Sequence, residues 1–206
     1  MGTTPTAPRS ERMTAQCADR RAVLRLAGGA GVWLLTGGHT PYRQWTLFRR
    51  THLLIGSTRA DPPSYALGQQ VAAILAEALP DSRARVSRAP SQRRVASLIS
   101  TDQWQAAVVA QDAAAAMAAG TAPFEDFGPI GLRSLFVIGD HRLICRADFP
   151  DRHAYLVTAT LAAHRERLPD AAPPDPSDPG VAIHPGALAY VIGLPPPQPT
   201  VAAESP

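Results

Sequence analysis

Three apolar runs in this sequence are each followed by side chains that could bind a small molecule. The groups are hydroxyls, guanidinium groups, a phenol, an amide and a carboxylate, and they belong to Ser57, Thr58, Arg59, Tyr65, Arg88, Ser91, Gln111 and Asp112. Hydroxyls and amides exchange hydrogen bonds with a ligand, and a guanidinium group can hold a carboxylate through two hydrogen bonds at once. These residue types predict reversible binding and no covalent chemistry.

Each of these positions also has a purely structural interpretation. Asp112 could cap the alanine-rich helix that follows it, where a carboxylate complements the helix dipole. Ser57 and Thr58 suit a tight turn, and Tyr65 suits a core position. The two arginines suit an exposed surface without a partner. The sequence leaves both interpretations open.

Motifs of catalysis and of metal binding do not occur in the sequence. There is no G-x-S-x-G nucleophile turn, no P-loop and no zinc-ligand spacing. The six histidines are scattered, and His184 is predicted to fix a turn rather than to bind a metal. We therefore expect a protein that is not an enzyme and that uses no metal or cofactor.

The elements that position these residues follow from the apolar spacing. Strands and helices are predicted to alternate, beginning with a strand, over 51–58, 61–80, 82–90, 91–103, 103–110 and 111–120. Ser91 is a plausible N-cap, and Gly120 suits the end of a helix. This alternation predicts an α/β fold with a mostly parallel sheet and flanking helices. The carboxyl ends of parallel strands meet at one edge, where ligands bind, so the candidate residues should converge there.

The second half of the chain has a different pattern. Gly139-Asp140 between two apolar runs predicts a hairpin, and 150–169 predicts a helix. We expect the α/β unit to span 48–168. A linker rich in Pro and Asp (169–180), an element packing on the unit (181–193) and a disordered tail (194–206) follow it.

The positive charge is concentrated in the first 25 residues. The net charge is +3, every basic residue is Arg, and residues 1–25 hold five Arg against two acids, whereas the remainder is balanced. This distribution does not support nucleic-acid binding. A basic group at Arg83, Arg85, Arg88, Arg93 and Arg94 lacks interleaved aromatic residues. It predicts a solvated face or, second, a surface for docking a partner.

Residues 1–40 are typical of an export signal. An Arg pair in DRRAVLR precedes the apolar run Leu26–Leu35, which is shorter than the roughly 20 residues that cross a membrane. The string resembles a twin-arginine signal, with an amphipathic N-terminal helix as the alternative interpretation. Both cleavage near Gly37–Thr40 and an uncleaved anchor remain open. Export predicts a periplasmic protein whose single mature thiol, Cys145, is buried.

Four strings, in order, resemble one protein family. They are LLIGSTRADPPSYALGQQVAAILAEAL, SRAPSQRRVASLISTDQWQAAVVAQDAAAAMAAGTAPF, GLRSLFVIGDHRLICRADF and IHPGALAYVIG. Together they cover residues 48–148 and 181–193, and they are similar to the TAXI-type solute-binding subunits of TRAP transporters. The resemblance implies the fold of a type II periplasmic binding protein, of which this chain retains a single lobe.

The resemblance also implies a function. It predicts non-covalent binding of a small carboxylate by the eight candidate residues, and a TRAP-type membrane permease as the partner. Most of the second lobe is missing, and a homodimer would be one way to replace its wall. The alternative from another class is a truncated protein that no longer takes part in transport. It would serve as a periplasmic interaction or scaffold protein for an exported enzyme.

Overall fold

The computed structural model describes residues 52–198, so the predicted export signal lies outside the described residues. The predicted α/β class is confirmed. The strands are β1 (Leu54–Thr58), β2 (Arg85–Ala89), β3 (Ala106–Ala110), β4 (Leu132–Ile138), β5 (His141–Arg146) and β6 (Ala171–Ala172). The helices are α1 (Pro62–Ala78), α2 (Gln92–Ser100), α3 (Gln111–Ala119), α4 (Asp151–Ala163) and α5 (Pro185–Val191).

The six strands form one sheet with the order β2-β1-β3-β5-β4-β6. β1 pairs in parallel with β2 on one side and with β3 on the other. The remaining pairs, β3 with β5, β5 with β4 and β4 with β6, are antiparallel. The parallel part therefore comprises the three strands that precede the predicted site residues, and the antiparallel part extends the sheet beyond β3.

Helices cover both faces of the sheet. Successive residues of β3 alternate between two apolar clusters, with Val108 packing on the side of α1 and α4 and Val109 on the side of α2 and α3. Continuous burial of this kind is typical of a strand covered on both faces. Cys145 on β5 is fully buried, as predicted, and its burial raises the pKa of the thiol far above the ordinary value. This thiol is therefore unreactive near neutral pH.

Short sequence motifs determine where the helices and the hairpin begin and end, as predicted. α1 begins at Pro62 and ends before Pro80. Ser91 caps α2 by accepting a hydrogen bond from a backbone N–H, and Gly120 ends α3 in the left-handed conformation. Gly139, with a φ of 53°, forms the hairpin between β4 and β5. These confirmed predictions rest on backbone chemistry that a few adjacent residues decide.

The segment predicted to be a linker is partly integrated into the fold. Within 169–180, β6 extends the sheet beside β4, and Asp178 binds Arg142 of β5. The following element packs on the unit, since α5 lies against α4 and buries Ala187 in the core. The side chains of Asp178 and Ala187 thus attach the C-terminal part of the described chain to the rest of the fold.

His184 fixes the start of α5 from a fully buried position. Its Nδ1 accepts a hydrogen bond from the N–H of Gly186 (3.1 Å), and its Nε2 donates to the carbonyl of Phe149 (2.8 Å). Burial lowers the pKa of His184, although the bond to Phe149 opposes the shift. The neutral ring is the form that can both accept and donate in this way.

We expect His184 to make the protein less stable at acidic pH. Its lowered pKa means that the unfolded chain takes up the proton first, so stability is lost as the pH falls below about 6.5. His184→Asn keeps an acceptor for the N–H of Gly186 but cannot be protonated. Urea unfolding from pH 7 to pH 5 should therefore show a smaller fall in the free energy of unfolding for this variant.

The exposed His153 supplies the control for this experiment. His153→Asn makes the same substitution at an exposed position, and the change in pH dependence at His184 is compared with it. A His184→Asn protein with the same pH dependence as the wild type would contradict the assignment.

Candidate functional site

The carboxyl ends of β1, β2 and β3 lie along one rim of the sheet. Thr58 at the end of β1 is level with Ala89 at the end of β2, and the N–H of Arg59 donates to the carbonyl of Ala89 (2.9 Å). β3 runs in the same direction beside β1 and ends at Ala110. The predicted convergence of the three loops is confirmed, since parallel register leaves them no other edge.

Arg59 and Arg88 are exposed at this rim, and Tyr65 beside Arg88 is half-buried. The guanidinium carbon of Arg88 lies 4.6 Å from the centre of the Tyr65 ring, a distance at which a cation is attracted to the ring face. Both arginines are exposed, and neither forms an ion pair within residues 52–198. Arg88 beside the phenol, with Arg59 on the adjoining loop, could therefore bind an anion at this part of the rim.

Ser57 and Thr58 are fully buried, and their hydroxyls have internal partners. Ser57 donates to the carbonyl of Ser87 (3.0 Å), which ties β1 to β2. The Thr58 hydroxyl accepts from the N–H of Ala60 (3.2 Å), and the Thr58 N–H donates to the hydroxyl of the buried Ser64 (3.2 Å). These contacts shape the loop that presents Arg59, as the structural interpretation of the two residues expects.

Ser91 and Asp112 lie at the starts of α2 and α3. The Ser91 hydroxyl accepts from the N–H of Arg94 (3.2 Å), which is the structural role expected of a cap. The N-cap of α3 is Ala110, so Asp112 lies within the first turn instead of capping the helix. Its exposed carboxylate accepts from the N–H of Ala113 (2.7 Å), and its charge still complements the helix dipole.

Gln111 joins the rim to the antiparallel part of the sheet. Its Nε2 donates to the carbonyl of Gly139 (2.8 Å), and its Oε1 accepts from Arg142 (3.3 Å). Both the NH₂ group and the carbonyl oxygen of the side-chain amide thus form hydrogen bonds within the protein. The side chain fixes the hairpin at the rim, so a ligand would have to displace one of these bonds to reach it.

Four residues of this rim were not predicted from the sequence. Asp61, His141, Arg142 and Asp178 make two polar side-chain contacts, of which the first is a hydrogen bond between His141 Nε2 and the carboxylate of Asp61 (2.9 Å) and the second is an ion pair. In the second, Arg142 is 2% exposed, and its guanidinium contacts Asp178 directly. This hydrogen bond, together with the N–H of Gly180, holds the pKa of Asp178 below its usual range.

Only one of these four residues had a signal in the sequence. Arg142 occupies an inward position in the apolar strand HRLICR, opposite Val109, and a charge there requires a partner. Asp178 lies 36 residues further along the chain among prolines, where no spacing rule connects the two. The pairs could be recognised only once β5 was known to lie beside β3.

Two grooves are found within the described part of the chain. One, of about 440 Å³, runs between β2 and α2 and ends beside Arg88. The other, of about 640 Å³, lies at the amino ends of the strands between Leu53, Leu79 and Phe149. The larger groove contains none of the predicted site residues, and a ligand bound there would lie at the opposite end of the sheet from the rim.

No family model matches this chain, and a search of curated proteins returns no matching relative. The resemblance to TAXI-type solute-binding subunits therefore stays a prediction. Among residues 52–198, no helix is long and apolar enough to cross a membrane. The same residues contain no cluster of His, Cys, Asp and Glu side chains that could hold a metal ion.

Proposed function

We propose that this protein is an exported, TAXI-like solute-binding protein that binds a small carboxylate at the rim and delivers it to a TRAP-type permease. The observation that supports the proposal most is the pair Arg59, in the loop after β1, and Arg88, near the end of β2, which are both exposed and form no ion pair within residues 52–198. A guanidinium group binds a carboxylate through two parallel hydrogen bonds. Tyr65, beside Arg88, can donate a further hydrogen bond from its phenol.

The starts of α1 and α2 offer few free backbone N–H groups to an anion at the rim. Phosphate sites at helix N-termini depend on exposed backbone N–H groups. α1 begins with Pro62 and Pro63, which have no N–H, and Ser91 occupies the N–H of Arg94 at the start of α2. Anion recognition at this rim therefore depends on guanidinium side chains, which pair with carboxylates and phosphates alike, and the choice of a carboxylate rests on the family resemblance.

The second candidate function is a periplasmic interaction or scaffold protein for an exported enzyme. It is favoured by internal side-chain hydrogen bonds at six of the eight predicted residues, which are Ser57, Thr58, Tyr65, Ser91, Gln111 and Asp112. A site whose polar groups are already satisfied gains less from a ligand. The two candidates differ in whether the remaining cations bind a small carboxylate.

A thermal-shift screen of small monocarboxylates and dicarboxylates on the full chain tests the proposal. A binding carboxylate at about 100 times its Kd should stabilise the fold by about 2.7 kcal/mol, which raises Tm by about 5–10 °C. Arg59→Gln and Arg88→Gln should each weaken binding about tenfold and so roughly halve this stabilisation.

Arg165→Gln supplies the matched control, because Arg165 is exposed, forms no ion pair within residues 52–198 and belongs to a turn that contacts β6, at the opposite edge of the sheet from Arg88 on β2. It should keep the full shift of the wild type. A folded protein whose Tm does not change with any carboxylate in the panel would favour the scaffold function.

A further inference from the structure

β2 forms an open edge of the sheet. It pairs with β1 on one side, and no strand of the described chain pairs with it on the other. The N–H of Arg85 and the carbonyl of Ala89 point towards β1, since they bond to Leu53 and Arg59. Because these groups alternate along a strand, the N–H and C=O groups of Val86 and Arg88 face the open side. They can pair with a further strand.

The groove beside this edge offers space for side chains. It has a volume of about 440 Å³ and lies between Arg85 and Ser87 of β2 and Leu98 of α2, with Trp104 in its lining. Trp104 is 6% exposed, so the ring contributes to the wall and does not project into solvent. The lining combines apolar carbon with the guanidinium groups of Arg85 and Arg94.

The positive charge at this edge has no counterpart in the described part of the protein. Arg83, Arg85, Arg88 and Arg94 are all exposed, and none of them forms an ion pair within residues 52–198. By contrast, the exposed Arg167 is paired with Glu77. Unpaired cations beside unpaired backbone groups are complementary to an extended chain that carries carboxylates.

We propose that the open edge of β2 binds an acidic, extended segment of a partner protein as an additional strand. Backbone hydrogen bonds to Val86 and Arg88 hold the segment, and carboxylates on alternate residues contact Arg85 and Arg94. This surface goes beyond the carboxylate site at the rim: the two share Arg88, but the side chains that select the acidic segment, Arg85 and Arg94, take no part in that site.

Two other occupants fit the edge less well. A second copy pairing through β2 would bring Arg85 and Arg88 of both chains together, and like charges on adjacent strands are destabilising. A single-stranded nucleic acid needs exposed aromatic rings on which its bases stack, and Trp104 is buried. An acidic peptide is the occupant that satisfies both the backbone and the charges.

Fluorescence anisotropy with labelled peptides and the full-length protein tests the proposal. A peptide of alternating Glu and Val should bind, and its affinity should fall with salt between about 50 and 300 mM. A peptide of alternating Gln and Val should bind about tenfold more weakly. The double variant Arg85→Glu with Arg94→Glu should bind the acidic peptide about 100-fold more weakly than the wild type does.

Arg165→Glu is the matched control, because it reverses an exposed charge away from β2. The affinity of this variant for the acidic peptide should stay within about twofold of the wild-type affinity. A second readout separates strand addition from adsorption to a charged surface. The backbone amides of Val86 and Arg88 should exchange more slowly with solvent when the acidic peptide is bound, as measured by NMR.

Several results would overturn the proposal. Equal affinity for the Gln and Glu peptides would show that charge does not select the occupant. Unchanged exchange at Val86 and Arg88 would exclude strand addition. A β2-dependent dimer that excludes the peptide, or tighter binding of a single-stranded oligonucleotide, would assign the edge to another occupant. None of these results depends on whether a small carboxylate binds at the rim.

Discussion

Gly186→Ala is expected to lower the free energy of unfolding by about 3 kcal/mol, a cost typical of severe overpacking. A Cβ at Gly186 would overlap the backbone carbonyl oxygen of Asp151 and lie 2.8 Å from its carbon. Backbone cannot rotate away as a side chain can, so α5 would have to move off α4. The movement would also strain the hydrogen bond from His184 to the carbonyl of Phe149, which joins the start of α5 to the residue two positions before α4. Urea unfolding at pH 7 measures the loss.

Gly68→Ala is the matched control, because it makes the same change inside a helix where there is room. A Cβ at Gly68 would lie 3.6 Å from Val86, an ordinary van der Waals contact. Alanine also favours a helix interior over glycine by up to about 1 kcal/mol. Gly68→Ala should therefore equal or exceed the stability of the wild type. Equal losses in the two variants would contradict the close packing of α5 on α4.

Asp178→Ala is expected to lower the free energy of unfolding by about 3 kcal/mol, because it leaves the buried guanidinium of Arg142 without its carboxylate. The remaining contacts of Arg142 are long, at 3.3 Å to Gln111 and 3.4 Å to the carbonyl of Val181, and its Nε has no partner within the described residues. Adding Arg142→Met to Asp178→Ala should restore part of the stability, since it removes the unpaired charge and keeps an apolar stem.

The direction in which Arg142→Met changes the stability of the Asp178→Ala variant makes the test specific. A double variant that is less stable than Asp178→Ala would show that Arg142 is held mainly by other contacts. The exposed pair of Arg167 and Glu77 is the control, and Glu77→Ala should cost at most about 1 kcal/mol. Because the pKa of Asp178 is lowered, its contribution is present above about pH 3.9 and is lost as the pH falls further.

The parallel part of the fold could be predicted because its information is local. Apolar spacing, two prolines before α1, the cap at Ser91 and Gly120 after α3 each act within a few residues. Once three strands alternate with helices, right-handed crossovers bring the loops after the strands to one edge. The convergence of Arg59, Arg88 and Gln111 follows from that geometry.

The antiparallel part depends on contacts between distant residues. Nothing in the sequence places β5 beside β3, and this pairing is what brings His141 to Asp61 and Arg142 to Gln111. The same limitation applies to β6, which lies in a segment whose prolines predict a linker. Strand order in such cases is decided by which edge remains open when the hairpin folds.

The structure gives most of the short polar side chains of the candidate site partners inside the protein. Hydroxyls and amides are short, and in a tight loop they find backbone partners before they can reach a ligand. Ser57, Thr58 and Gln111 illustrate this, since each bonds within the protein. Arginine side chains are long enough to leave the loop, which is why Arg59 and Arg88 remain available.

An NMR titration that follows the guanidinium Nε–H signals of Arg59 and Arg88 tests the central claim most directly. A carboxylate that stabilises the protein should shift both signals, with saturation at the same concentration as the Tm increase. The methyl signals of Leu156 and Val157 in the groove at the opposite end of the sheet should not move. Shifts confined to those methyl groups, with both arginine signals unchanged, would contradict the assignment of the site to the rim.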